Sequence, residues 1–169
     1  IPLPRDVYRS QATDVADERD NSMGINLAND AQLRALAEQV NAATQRGWRA
    51  VPLVPGATAA GNAIDVTNPA DRREVVGQWV PADSATVEKA LANAVASQEA
   101  WDATPAASRA AILEHAATLL EARMPQYIAL CTKEAGKTIP DGVAEVREAV
   151  DFLRYYAGQA RKLFGHPEK

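Results

Sequence analysis

Residues 104–165 read TPAASRAAILEHAATLLEARMPQYIALCTKEAGKTIPDGVAEVREAVDFLRYYAGQARKLFG, and their punctuation sets the fold class. Thr104-Pro105 is a helix start, a capping hydroxyl followed by proline at the first helical position. Ile112, Leu113, Ala116, Leu119 and Leu120 then run along that helix. Pro125 predicts a kink or a restart, because it removes a backbone donor and clashes with the preceding turn. The helix continues through Ile128 and Cys131 to Gly136, a glycine suited to a C-cap. Asp141 is the predicted cap of a last helix. Its Val146, Val150, Leu153 and Ala157 share one face, and it ends near Gly165, before Pro167.

Upstream the same logic gives a further helix, capped by Asp83 or Ser84 and running to about Trp101. Val87, Leu91, Ala94, Val95 and Trp101 lie along its side. Two extended runs precede it, AIDVTN (63–68) and EVVGQWV (74–80). They flank Asn68-Pro69-Ala70-Asp71, a turn signal, and predict a hairpin or neighbouring strands. WRAVPLV (48–54) predicts a short extended segment, with Pro52 marking an edge. Asn29 caps a predicted helix from Asp30 to Gln45, with Leu33, Leu36, Ala37 and Val40 at helical spacing and Gly47 at its C-cap. Residues 1–27 carry prolines and the DERD cluster. They predict an arm lying on a surface, with the cluster solvated. The expected fold is therefore α-rich α+β: an extended arm and short strands, then long packed helices.

The chain has 169 residues, enough for one domain that buries roughly two thirds of its surface on folding. Alanine supplies 35 of its residues, which suits closely packed helices. Eighteen Lys and Arg against 22 Asp and Glu give a net charge of −4, without a basic footprint for nucleic acid. One cysteine, Cys131, makes no internal disulfide and gives no argument for secretion. No apolar run approaches the ~20 residues of a membrane helix. The default expectations are a cytoplasmic location, no membrane span and no bound nucleic acid. The first residue is Ile1, so the chain is expected to be a piece of something longer.

Individual motifs point to little chemistry. No G-x-G-x-x-G is present. Gly56 and Gly61 have the outer spacing of a phosphate loop but lack its Lys-Ser/Thr. Gly136-Lys137-Thr138 resembles the tail of such a loop, yet it ends a helix instead of opening one, so a C-cap is the expected role. His115, His166 and Cys131 cannot furnish a zinc site without several carboxylates. No metal site is expected, and His115 is expected at a surface or half-buried. Cys131 lies near a helix C-terminus, where the dipole disfavours thiolate, so an inert thiol is expected. On the last helix Glu145 and Glu148 can share a side, and Asp151 can pair with Arg147. Phe152, Tyr155 and Tyr156 are expected to pack.

Taken together, other landmarks carry a resemblance. They are the NPAD turn before a V-V-G strand, a helix ending in A-W, P-x-x-S-R-A-x-I-L, L-L-E-A-R-M, K-E-A-G-K-T and D-F-L-R-Y-Y-A. Over about residues 63–165 the chain resembles the N-terminal part of the aldehyde dehydrogenase superfamily. The stretches LPRDVYRS and ERDNSMGINLANDAQL resemble the entry to the dehydrogenase module of bacterial bifunctional proline-catabolic enzymes. Those enzymes join an FAD-dependent proline dehydrogenase to an NAD-dependent dehydrogenase for L-glutamate γ-semialdehyde.

The resemblance implies a fragment of the aldehyde dehydrogenase fold. Residues 1–62 would be a linker or arm with one helix, and 63–169 the N-terminal portion of an incomplete NAD-binding domain. The family's chemistry uses a nucleophilic cysteine, a general-base glutamate and hydride transfer to NAD. The resemblance places those residues and the nucleotide-binding units beyond Lys169. Cys131 does not match the nucleophile's motif, so no catalytic or cofactor-binding residue is expected here, and NAD and FAD would belong to the parent enzyme. One site residue carries over: E-A-V-D-F places Glu148 at the substrate pocket, where a carboxylate would face the substrate's ammonium. The alternative for Glu148 is an exposed glutamate paired with Arg147 or another side chain. The expected partner is the remainder of the parent polypeptide, and a homo-oligomer is left open. The alternative for the whole chain is a stand-alone, non-catalytic helical interaction module.

Overall fold

A computed structural model describes residues 19–45, 47–58 and 61–165. The N-terminal arm LPRDVYRS, His166 and Pro167 lie outside the described residues. Among the described residues five helices and three strands follow one another: α1 (Asp30–Thr44), β1 (Trp48–Ala50), β2 (Ile64–Thr67), β3 (Val75–Trp79), α2 (Ser84–Asp102), α3 (Ala106–Ala122), α4 (Met124–Ala135) and α5 (Ile139–Phe164). The predicted α-rich α+β architecture is the one observed.

The strand order is β1-β3-β2. β2 and β3 form the expected antiparallel hairpin, and β1 adds to β3 in parallel as an edge. Gly77 lies opposite Trp48. A Cβ there would meet the Trp48 carbonyl oxygen at 2.5 Å, so only glycine fits. The NPAD turn explains itself. Asn68 Oδ1 accepts the Ala70 N–H, and Asp71 accepts from the Arg73 backbone and guanidinium. Glu74 then docks the hairpin on α4, taking hydrogen bonds from Asn68 Nδ2 and Lys133 Nζ at 2.7 Å each. Those two donors, Lys133 first, hold the Glu74 carboxyl below its usual range.

The core lies between α1, α4 and α5, with α3 alongside α5. Leu36, Val40 and Ala43 of α1 meet Ile128 and Ala129 of α4 and Val143, Val146 and Val150 of α5. Ala110 and Ala117 of α3 and Ala157 of α5 are also fully buried. Alanine at such positions lets two helix backbones approach closely. Gly142 serves the same end, since a Cβ there would come within 3.1 Å of Ile128 Cγ2.

Three expected caps are corrected. Gln45, not Gly47, caps α1, and Leu33 and Ala37 stay exposed because the buried stripe is Leu36, Val40 and Ala43. Thr104 does not cap α3: its hydroxyl donates to the Ala100 carbonyl at 2.9 Å, and Pro105 takes the N-cap position. Asp141 does not cap α5. Thr138 does, accepting the Asp141 N–H while its hydroxyl donates to the Asp141 carboxylate at 2.6 Å. Along α2, Val87, Leu91, Val95 and Trp101 are 48%, 58%, 73% and 51% exposed. Elsewhere the signals hold. Asp83 accepts the Thr86 N–H, Pro125 restarts the chain as α4, and Gly136 closes α4 at φ +66°.

Candidate functional site

The outer face of α5 carries residues 147, 148, 151, 152 and 155, spaced so that they line one side of the helix. With Arg19 from the segment before α1, they line an open concavity of about 510 Å³. Glu148 stands exposed on this wall, with no ion pair or hydrogen-bond partner among the described residues. The side-chain pairing to Arg147 considered for it is not formed. Glu145, three residues away, is instead tied to Lys137 at 2.5 Å.

Both carboxylate oxygens of Asp151 are engaged. Its Oδ1 accepts the Ser22 N–H at 2.7 Å and its Oδ2 accepts the Ser22 hydroxyl at 2.9 Å. Arg147 Nε donates to the same Ser22 oxygen at 3.2 Å. Ser22 therefore stands between Asp151 and Arg147, where a direct pair is expected from the sequence. The Asp151 carbonyl accepts from Arg19, whose guanidinium lies 5.6 Å from the centre of the Tyr155 ring. One turn further along α5, Arg154 grips Glu121 of α3 with both terminal nitrogens, and Glu121 Oε1 also accepts the Met23 N–H. Residues 19–23 are thus a strap latched to α5 and α3 by two carboxylates.

The aromatic cluster packs within itself. Phe152 and Tyr156 stack at 6.1 Å, and Tyr155 meets Tyr156 edge-on at 5.2 Å. All three rings stay partly open to solvent. Cys131 is half-buried; burial pushes its thiol above the usual range, and the negative charge of Glu145 adds to the effect. His115 is exposed.

Neither glycine segment makes a nucleotide cradle. Gly136 closes α4, and Lys137 is spent on Glu145, which raises its pKa. Gly56 has the Lys89 side chain packed above it, and Gly61 lies against Pro81. Neither segment therefore offers a dinucleotide the backbone cradle of a glycine-rich loop. No group of three or more metal-ligating side chains is found among the described residues. No helix among them is long and apolar enough to cross a membrane.

Sequence reasoning missed Ser22, Asp151 and Glu121 as partners. Ser22 and Asp151 are 129 residues apart, and nothing local announces the pair. A signal did exist for the seam between α3 and α5. Glu114 and Glu121 are spaced like Arg154 and Arg161, and the two sets pair in antiparallel order.

The aldehyde dehydrogenase family model matches residues 54–168. The chain is 47% identical over 167 residues, 98% of its length, to the "Bifunctional protein PutA" of Escherichia coli strain K12, and spans 12% of that protein. It is 42% identical over 96 residues, 57% of its length, to the 1-pyrroline-5-carboxylate dehydrogenase of Anoxybacillus flavithermus, spanning 19% of it. A solved 1-pyrroline-5-carboxylate dehydrogenase from Thermus with bound NAD superposes with a TM-score of 0.74 at 29% identity, covering 83% of this chain and 28% of that one.

Proposed function

Given that this chain belongs to the aldehyde dehydrogenase family, we propose that it is the leading segment of the dehydrogenase module of a bifunctional proline-catabolic enzyme. The module would oxidise L-glutamate γ-semialdehyde to L-glutamate with NAD. An FAD-dependent proline dehydrogenase in the same parent would supply that aldehyde. One observation carries the reading: sequence identity of 47% to the bifunctional protein runs through 98% of the chain, whereas the 42% identity to the Anoxybacillus dehydrogenase spans 57% of it. The strap lies ahead of the family match, within the 167 residues that are alike to the bifunctional protein.

In this reading residues 1–62 form the linker with one helix and 63–169 open the dehydrogenase domain, in a cytoplasmic parent. The nucleophile, the general base and the NAD site lie in the remainder of the polypeptide. This chain contributes a wall of the substrate pocket. Glu148 faces the α-ammonium of the semialdehyde, a charge-assisted contact stronger than a neutral hydrogen bond. Its freedom from any protein partner supports that role, since a carboxylate already spent on arginine would have less to offer.

The test is made in the full-length enzyme, by following NADH formation. Glu148→Ala should lower kcat/KM for the semialdehyde about 10-fold or more, the size expected for losing a hydrogen bond to a charged group. The affinity for NAD should be nearly unchanged. Unchanged semialdehyde turnover removes Glu148 from the site. A native polypeptide of about this chain's own mass, 18.1 kDa, would remove the enzyme reading altogether.

A further inference from the structure

The latch between Ser22 and Asp151 sits beside Glu148 and uses every oxygen of the Asp151 side chain on one residue of the strap. Ser22 is buried, 3% exposed, so its hydroxyl must find partners inside the protein. It finds two, donating to Asp151 and accepting from Arg147. The Asp151 backbone carbonyl holds Arg19 of the same strap. Both arginines line the concavity that contains Glu148. Asp151 is thus a hub that fixes two walls of this concavity, one from α5 and one from the strap.

The strap engages both oxygens of the Asp151 carboxylate, which leaves it less to offer a ligand. The partner-free glutamate three residues earlier has both of its own to offer. The two acidic groups on this wall are therefore divided in role. We propose that Asp151 is a positioning residue and Ser22 its partner. Together they engage Arg147 and Arg19, so that neither guanidinium neutralises Glu148 and the site selects an aldehyde bearing an α-ammonium group over a plain aliphatic aldehyde. The inference rests on the reading of Glu148 as a substrate contact. It extends that reading to the strap, which lies ahead of the residues matched by the aldehyde dehydrogenase family.

The experiment measures selectivity in the full-length enzyme: kcat/KM for L-glutamate γ-semialdehyde divided by kcat/KM for propanal. Asp151→Asn and Ser22→Ala should each lower this ratio about 10-fold, with propanal turnover held within about 2-fold, as expected for losing charge-assisted hydrogen bonds. Ser22→Thr keeps the hydroxyl and should restore the ratio. The double variant Asp151→Asn/Glu148→Ala should fall no further than Glu148→Ala alone, because coupled residues are not additive. If Glu148→Ala lowers the ratio but neither Asp151→Asn nor Ser22→Ala does, the positioning role is overturned and the site reading stands. If propanal turnover falls in parallel with semialdehyde turnover, the latch is structural only and the proposal fails. If Glu148→Ala leaves the ratio unchanged, the site reading fails and takes this inference with it.

Discussion

Helices α2 and α5 show how differently one pattern can be used. Both carry apolar residues at helical spacing. On α5 the stripe Val146, Val150 and Ala157 is buried against α1, α3 and α4, and Val150 is wholly inaccessible. On α2 the stripe Val87, Leu91 and Val95 faces solvent. α2 is tethered instead by its other side, where Asn93 donates to the Pro55 carbonyl and Thr86 is buried. Periodicity announces that a helix has an apolar side. It is silent on whether the partner for that side lies within the same stretch of chain.

The largest effect should come from attacking the covered side. Ile128 is fully buried where α1, α4 and α5 meet, and its Cγ2 contacts the first turn of α5 at Gly142. Ile128→Ala should lower stability by about 4 kcal/mol through lost transfer energy plus an unfilled cavity. Urea unfolding of this chain measures it. A loss under about 1 kcal/mol would mean that the core relaxes freely and does not hold α5 in place.

The next largest effect tests the polar seam. Arg154 and Glu121 are 15% and 14% exposed and 2.5 Å apart, while Arg34 and Asp30 on α1 are 80% and 87% exposed at 4.0 Å. Glu121→Ala strands a mostly buried guanidinium and frees the Met23 N–H, at a cost of about 3 kcal/mol. Asp30→Asn should cost under about 0.5 kcal/mol, since exposed pairs are screened and entropically expensive. Equal losses in the two variants would show that burial does not separate these pairs.

These cases also mark what the sequence made legible. The three strands, the hairpin, the restart at Pro125 and the buried face of α5 all follow from local rules. Cap identity was less readable. Thr104 and Asp141 are of suitable type, but Thr104 found the Ala100 carbonyl and Asp141 served as the partner of Thr138. Glu148 was picked out by resemblance alone, because an exposed helical glutamate is ordinary. The latch beside it is illegible, since Ser22 and Asp151 lie 129 residues apart and no local rule joins them. Long-range polar pairs are consequences of packing, whereas caps and stripes are causes of it.

The smallest expected effect sharpens the opening contrast most. Leu91 is 58% exposed, so Leu91→Ser should change the stability of this chain by no more than about 0.5 kcal/mol. In the full-length parent the outcome should differ. A row of apolar side chains on one helix is expensive to leave in water, and a larger module can cover it. On that reading Leu91→Ser in the parent should cost about 1–2 kcal/mol, close to the transfer free energy of a leucine side chain. It should register as a faster thermal inactivation of the dehydrogenase activity than in the unsubstituted enzyme. An effect near zero in both settings would mean that α2 keeps its apolar side in water even in the parent. The difference between α2 and α5 would then lie in the helices themselves, not in where their partners sit along the chain.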